Sequence, residues 1–191
     1  MIAKPVFYDQ FKLDKALDCF CTSNSPVILR TVAAGFHEIV LLLKNTAYRY
    51  LKDPLAKLMA TKDGPTIRAL LSHIDIILRN FCMDDASRLG VEAIYTALIG
   101  LEKGAAESGP AGPAGWRLHQ ALIRSLRDFP DYIDSELVYE QTVHVLLKRL
   151  GECLPIPLKI EIIEVLTIYT KKLKRMEYRD TLLRQLIGIP I

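Results

Sequence analysis

A histidine followed directly by a glutamate is the first feature of the sequence that suggests chemistry, and it occurs at His37 and Glu38. A zinc protease helix needs a second histidine four residues after the first, so that both imidazoles face one metal ion. That position holds Leu41. The pair therefore predicts no metal site. We expect both side chains to lie at the edge of a helix face, where a partner can contact them.

The remaining nucleophiles and titratable groups form no catalytic pattern either. His73, His119 and His144 lie far apart in the sequence and do not converge by spacing. Ser72 and Ser125 lack the strand–turn–helix context of a nucleophile elbow. The four cysteines have neither metal-ligand nor disulfide-framework spacing, which is typical of reduced intracellular thiols. We predict no catalytic, metal or cofactor site, and a protein that is not an enzyme.

A different pattern recurs four times: an apolar residue directly before a base, after a turn and at the start of an apolar helical stripe. The bases are Arg30, Arg68, Arg117 and Lys159, at intervals of 38, 49 and 42 residues. Helix-pair repeats of the HEAT and armadillo kind run about 40–47 residues. The longest interval contains a run rich in Gly, Ala and Pro at 103–115. Because glycine and proline break helices, we predict a flexible loop there.

The repeated base has two interpretations. In a stacked array it can bind an acidic or carbonyl group of the next repeat and form a structural ladder, or it can lie on the concave ridge and contact a partner. Trp116 either packs in the core or lies exposed as an anchor, since tryptophan is enriched at binding hot spots. The candidate partner-binding residues are Arg30, Arg68, Trp116, Arg117 and Lys159.

A basic run at 171–175 ends the last long predicted helix. Cations are favoured at a helix C-terminus, which gives the run a structural interpretation. A patch for an acidic partner or a nuclear-localisation signal is the alternative.

Apolar residues recur three and four positions apart in every long segment, which predicts helices and no sheet. We predict an all-α fold, a HEAT/armadillo-type superhelix of about four helix pairs that forms a single domain over 1–187. The predicted repeats are 5–44, 47–82, 85–133 and 134–174, with a partial fifth at 178–187. One helix is expected from Ile67 to Phe81, and Pro54 is expected to kink or split the helix before it. The predicted core residues are Leu70, Ile74, Ile77, Leu146, Ile163 and Leu166.

Composition and net charge limit the classes of partner that the chain is expected to bind. The 191 residues carry a net charge of +3, which is too balanced to indicate nucleic-acid binding. The N-terminal sequence does not resemble a signal peptide. The longest apolar run, 39–43, is too short for a membrane span. We expect a protein of the cytoplasm, or of the nucleus, that binds other proteins and neither nucleic acid nor membrane.

Three segments carry a family resemblance. They are residues 29–40 (LRTVAAGFHEIV), residues 116–119 (WRLH) with Phe129 and Pro130, and residues 174–179 (KRMEYR). These segments resemble the HEAT-repeat regulatory and scaffold subunits of Ser/Thr protein phosphatases, and most closely protein phosphatase 4 regulatory subunit 4. The resemblance extends from residue 26 to residue 187, although this chain is shorter than the family pattern and has the Gly/Ala/Pro run.

The resemblance implies a non-catalytic subunit that binds a phosphatase catalytic subunit and directs it. A curved helical stack suits that role, because it offers an extended concave surface. The alternative is a tubulin-binding or transport-adaptor HEAT array. Tubulin-binding arrays use tryptophan and basic residues in the loops between paired helices, and here Trp116 alone fits that pattern.

Overall fold

All of the regular secondary structure in the computed structural model, which describes residues 10–81, 85–107 and 115–188, is helical. The predicted all-α class is therefore confirmed for these ranges. The helices are α1 (Gln10–Cys21), α2 (Pro26–Leu43), α3 (Ala47–Met59), α4 (Gly64–Leu71), α5 (Ile74–Phe81), α6 (Asp85–Glu107), α7 (Gly115–Ser125), α8 (Ser135–Val138), α9 (His144–Leu150), α10 (Ile156–Lys172) and α11 (Met176–Ile187). Two 3₁₀ segments, Lys44–Thr46 and Leu126–Asp131, and one π-helical turn, Tyr139–Val143, lie between them.

The starts of three helices follow from the local sequence. Pro26 is the first residue of α2, where its missing N–H costs no hydrogen bond. Asp63 caps α4, because its carboxylate accepts a hydrogen bond from the backbone N–H of Thr66. Asp134 caps α8 through the N–H of Glu136. Turn residues in the sequence therefore mark these starts correctly.

Helix continuity differs from the prediction at two places. The helix expected from Ile67 to Phe81 is divided into α4 and α5 at Ser72 and His73. In contrast, α3 continues from one side of Pro54 to the other, so of the predicted kink or split the split does not occur. Neighbouring residues on α3 are buried, and their packing outweighs the roughly 3 kcal/mol cost of an interior proline.

Helices that are not adjacent in the chain pack side by side in two series. In the first series, which we call the α2 row, α2 packs on α4, α4 on α7 and α7 on α10. In the second series, α1 packs on α3 and α3 on α6. The two series contact each other, for example where α2 meets α3 and where α6 meets α7. We call the exposed side chains of the four α2-row helices the outward face of that row.

The core lies between the two series. Tyr169 of α10 donates a hydrogen bond to the carbonyl of Leu126 at 2.7 Å, and the hydroxyls of Tyr95 and Thr142 are hydrogen-bonded to each other. Five of the six predicted core residues are buried, namely Leu70, Ile74, Ile77, Leu146 and Leu166. Ile163 is the exception, because its side chain is 48% exposed. α10 carries apolar residues on both faces, so its sequence pattern does not show which face is buried.

The predicted loop at 103–115 is partly helical. α6 continues to Glu107, and Ala105 within it is buried. Alanine is the best helix former, and the packing of this last turn offsets the cost of Gly104, about 1 kcal/mol. α7 begins at Gly115, whose φ of 64° glycine adopts without strain. The rest of the predicted loop, 108–114, lies outside the described residues, as do residues 5–9 of the first predicted repeat.

Candidate protein-binding surface

Arg30 joins two helices of the α2 row. Its Nε donates to Asp63 Oδ2 at 2.9 Å, and its Nη2 donates to Asp63 Oδ1 at 2.7 Å. Asp63 also caps α4, so one carboxylate serves both contacts. The hydrogen bond from Arg30, followed by that from Thr66, holds the pKa of Asp63 well below its usual range. Arg30 therefore matches the ladder interpretation of the repeated bases.

A second pair of the same kind joins α7 to α10, and the sequence analysis missed it. Arg124 Nε donates to Glu161 Oε1 at 2.9 Å, and its Nη2 donates to Oε2 at 2.5 Å. Gln120 donates to the same carboxylate at 3.2 Å. Glu161 is buried, and its hydrogen bond raises the pKa of Arg124. One sequence signal could have revealed this pair. Glu161 is an acidic residue among the apolar residues on the buried face of α10.

Arg68 lies in a cleft of about 230 Å³ between α4–α5 and α7 with its following 3₁₀ segment. Arg124 and Arg127 also line this cleft, but Arg124 binds Glu161 and Arg127 binds Asp128. Arg68 makes no ion pair with any residue that the structure describes. Unlike Arg30, Arg68 therefore forms no ladder ion pair among the described residues.

Trp116 and Arg117 form a unit at the start of α7. Trp116 is half-buried and lies in a small cavity lined by Ala105, Pro155 and Leu158. The guanidinium carbon of Arg117 lies 4.8 Å from the centre of the Trp116 ring. A cation at this distance from an aromatic face contributes about 0.5–1 kcal/mol when exposed. Trp116 thus packs beside α6 and α10 and also supports an exposed cation.

Lys159 differs from the other predicted bases in its surroundings. It is half-buried on α10, and it forms no ion pair within the described parts of the chain. The five predicted residues are therefore distributed along the α2 row from α2 to α10, and they do not meet at one point.

The basic run at 171–175 divides into paired and unpaired side chains. Lys172 binds Asp128 at 3.1 Å and Asp131 at 2.6 Å, and Arg175 binds Glu136 at 2.9 Å. The ammonium groups of Lys171 and Lys174 form no ion pair with described residues. Lys172 and Arg175 are thus held by neighbouring carboxylates, whereas Lys171 and Lys174 are not.

A buried charge network links α6, α7 and α9. Glu102 Oε1 lies 2.7 Å from His119 Nε2 and accepts a hydrogen bond from Arg149 Nε at 3.2 Å. Arg149 also donates to Glu152 at 3.0 Å. Burial acts to raise the pKa of Glu102, but the His119 hydrogen bond and the Arg149 charge outweigh it and lower the pKa.

This network is buried. The side chains of Glu102 and His119 are 1% and 5% exposed, and His119 also lines the small cavity beside Trp116. Sequence spacing gave no reason to pair these residues, although Glu102 lies on the apolar stripe of α6. The network therefore supports the packing of three helices.

Two other histidines meet where α4 ends. The rings of His37 and His73 are stacked, with centroids 3.7 Å apart and planes inclined by 21°. His37 Nδ1 is buried without a hydrogen-bond partner among the described residues. In the described ranges, no group of three or more His, Cys, Asp or Glu side chains is placed to hold a metal ion. The stack contributes packing between α2 and the α4–α5 break.

An apolar cleft of about 510 Å³ separates α3 from α6. Small residues of α6 open it, and they are Gly90, Ala93, Ala97 and Gly100. Lys52 and Asp53 also line the cleft, but no polar set converges inside it.

One helical stretch, Pro26–Met59, is long and apolar enough to cross a membrane by length and composition alone. The core helices of soluble proteins and signal sequences meet the same criterion. In this structure α2 packs against α1, α3, α4 and α5, and it carries the Arg30–Asp63 ion pair.

Comparisons of the chain with protein-family models, with curated proteins and with solved structures found no match.

Proposed function

We propose that this chain is a HEAT-type helical array that acts as a non-catalytic scaffold or regulatory subunit. In this role it holds the catalytic subunit of a Ser/Thr protein phosphatase of type 4 or type 2A. The observation that carries the proposal is the stepwise packing of the α2 row, from α2 to α4, α7 and α10. In helical repeat proteins each unit contacts its neighbours in this way, and the stack presents an extended binding surface.

Two ion pairs support a repeated architecture. Arg30–Asp63 crosses from α2 to α4, and Arg124–Glu161 crosses from α7 to α10. Each pair joins one helix of the α2 row to the next one along the row. A bidentate arginine–carboxylate pair fixes orientation as well as distance, so the pairs set how neighbouring units stack.

The non-catalytic part of the proposal is supported by how the polar side chains are used. Glu102 and His119 are buried and bonded to each other, and the bidentate carboxylates of Asp63 and Glu161 are occupied by arginines. A binding role uses instead Arg68, which has no ion-pair partner among the described residues, and the Trp116–Arg117 unit.

The partner class comes from the resemblance of residues 29–40, 116–119 and 174–179 to phosphatase regulatory subunits. The site that we propose is the outward face of the α2 row around Arg68, Trp116 and Arg117. An unpaired arginine and an aromatic side chain are the residue types that most often dominate binding energy.

The experiment is capture of purified phosphatase catalytic subunit, of type 4 and of type 2A, on the immobilised chain. We expect capture, and we expect Arg68→Glu to reduce it while Lys148→Glu leaves it unchanged. Lys148 is the matched control, because it is an exposed cation on α9, outside the α2 row. Capture of tubulin or a nuclear transport receptor in place of either phosphatase would contradict the proposal, and so would phosphatase activity of the isolated chain.

A further inference from the structure

Two histidine rings from different elements are stacked without a hydrogen bond. His37 lies on α2 and His73 lies in the break between α4 and α5, and their ring centroids are 3.7 Å apart. Neither ring forms a hydrogen bond or an ion pair with a residue that the structure describes. His37 Nδ1 is also buried. The contact therefore depends on ring packing and not on a polar partner.

Protonation would work against this contact in two ways. Two protonated rings would place like charges 3.7 Å apart, where they repel each other. Both nitrogens of a protonated histidine carry hydrogen, so His37 Nδ1 would become a buried donor without an acceptor. Histidine is the side chain whose charge ordinarily changes between about pH 5 and pH 8. Mild acid therefore adds charges that the stack does not accommodate.

The carboxylates nearest to the pair in the sequence do not bind it. Glu38 follows His37 on α2 and is exposed. Asp75 lies in the first turn of α5 and lines the cleft that holds Arg68, which we call the Arg68 cleft. Neither carboxylate forms an ion pair with His37 or His73. The pair therefore has no bound counter-ion among the described residues.

The other described acids on the surrounding helices bind elsewhere or line other clefts. Asp63 binds Arg30 at the start of α4, and Asp18 of α1 binds Lys57 of α3. Asp53 lines the clefts between α3 and α1 and between α3 and α6. The remaining described charges on α1 to α5 and on the first 3₁₀ segment are positive, so they cannot offset further positive charge. They are Lys15, Lys44, Arg49, Lys52, Arg68 and Arg79.

The stack lies at a break in the helical backbone. The N–H of His73 donates to the carbonyl of Leu70 at 3.4 Å, and the carbonyl of His73 accepts from the N–H of Ile77 at 3.3 Å. Both distances exceed the usual value of about 2.9–3.0 Å. Ser72 and Ile74, on either side of His73, line the Arg68 cleft. A movement of His73 away from α2 therefore moves one wall of this cleft.

We propose that the His37–His73 stack is a pH-sensitive contact, which holds the α4–α5 break against α2 near neutral pH and releases it in mild acid. Protonation of the second ring separates the two rings, and the break moves away from α2 together with its wall of the Arg68 cleft. The switch does not rest on the proposed phosphatase role, because the stack and the cleft wall belong to the chain itself.

The test compares urea unfolding of the wild type and of His73→Phe at about pH 7.5 and about pH 5.5. Phenylalanine keeps an aromatic ring at the stack but takes up no proton. In the unfolded chain the two histidines are apart and take up protons without this repulsion. The unfolded wild type therefore binds more protons than the folded one, and its stability falls as the pH falls. We expect the unfolding equilibrium constant of the wild type, divided by that of His73→Phe, to rise about threefold to tenfold on acidification.

Other histidines are controlled in this comparison. His119 and its contact with Glu102 are common to both proteins, so their titration cancels in the ratio. His144→Gln is the matched control, because His144 is exposed on α9. The ratio of wild type to this control should stay within about twofold over the same pH range. If His73→Phe does not fold, His37→Phe takes its place, since it replaces the other ring of the stack.

Amide hydrogen exchange then locates the change. After correction for intrinsic exchange rates, the amides of residues 70–77 should lose protection on acidification in the wild type and keep it in His73→Phe. The amides of α10 should keep their protection in both proteins. Parallel pH dependences of stability for the wild type and His73→Phe would overturn the proposal. Unchanged protection at residues 70–77, or an equal loss of protection in α10, would also overturn it.

Discussion

Single carboxylates connect neighbouring helices of this protein, and three of them are Asp63, Glu161 and Glu102. Asp63 binds Arg30 across the α2–α4 contact, Glu161 binds Arg124 across the α7–α10 contact, and Glu102 binds His119 and Arg149. Buried or partly buried charges are stable only when they are paired and hydrogen-bonded. Each of these residues therefore restricts which helices can meet.

Asp63 has two separable roles, which Asp63→Asn and Asp63→Ala distinguish. Asparagine still caps α4 but lacks the charge that binds Arg30, whereas alanine lacks both. We expect the free energy of unfolding of Asp63→Ala to be lower than that of Asp63→Asn by about 0.5–2 kcal/mol. This difference is the usual cost of a lost N-cap. Denaturant unfolding of the two variants and the wild type measures this difference.

The Asp63 ion pair also predicts a pH dependence. The pKa of Asp63 is lower in the folded state than its unfolded value of about 4. Stability from the pair is therefore fully present above that value, and it is lost as the pH falls through the folded-state pKa. The advantage of the wild type over Asp63→Asn should shrink on acidification. An advantage that stays constant down to about pH 2 would show that the ion pair contributes nothing.

Two neighbouring isoleucines on α10 have opposite surroundings. Ile162 is fully buried, and Ile163 is 48% exposed. Ile162→Ala should cost about 2–5 kcal/mol through lost packing and a cavity, whereas Ile163→Ala should change stability by less than about 0.5 kcal/mol. Equal losses in a denaturant titration would mean that the buried face of α10 is assigned incorrectly.

At the scale of whole elements, α6 makes a close contact with α3 at Gly90. The ring of Tyr48, from α3, lies directly over Gly90 of α6, and a Cβ at that position would overlap it. The same ring makes an edge contact with Phe81 at 5.6 Å. Gly90 therefore lets α3, α5 and α6 pack together around one tyrosine.

Gly90→Ala should lower stability by about 1–3 kcal/mol, because the Tyr48 ring must move away from its place against Phe81. Gly100→Ala is the matched change on the same helix, where a Cβ meets nothing within 4 Å. It should raise stability by up to about 1 kcal/mol, since alanine is the better helix former. Thermal melts of the two variants that shift in the same direction would contradict this packing.

Sequence periodicity predicted the helical class and most helix positions, because apolar spacing depends on local geometry. It did not predict the division at Ser72 and His73, or the extension of α6 to Glu107, because both depend on side chains that are distant in the sequence. Ala105, for example, lines one small cavity with Trp116 and Leu158. A Gly- and Ala-rich segment carries no sequence signal for such contacts.

The candidate site was predictable to a similar extent. The repeated-base pattern found Arg30 and Arg68, but it did not show that Arg30 is paired, whereas Arg68 has no ion pair within the described ranges. It missed Arg124 and Glu161, which are 37 residues apart and have no common motif. The repeat position also suggested that Lys159 is equivalent to Arg117, whereas Lys159 is half-buried and Arg117 is exposed.

For the whole molecule, the Glu102 network is the main polar link between three helices. Arg149→Met leaves the buried Glu102 with one partner, and removing one member of a buried pair costs about 3–5 kcal/mol. Lys148→Met changes the neighbouring exposed residue and should alter stability by less than about 0.5 kcal/mol. Urea unfolding of both variants tests this, and a small effect of Arg149→Met would show that the network is not needed for folding.

The central claim is that the α2 row holds its helices together with one set of cations and contacts a phosphatase with another. The measurement that tests it most directly is the affinity for purified type 4 catalytic subunit, by calorimetry, together with the melting temperature, for Arg30→Glu and Arg68→Glu. Arg30→Glu should lower the melting temperature, because it places two negative charges together at Asp63. Arg68→Glu should leave the melting temperature unchanged and weaken binding at least about tenfold. Absence of binding by the wild-type chain, or wild-type affinity in Arg68→Glu, would contradict the claim.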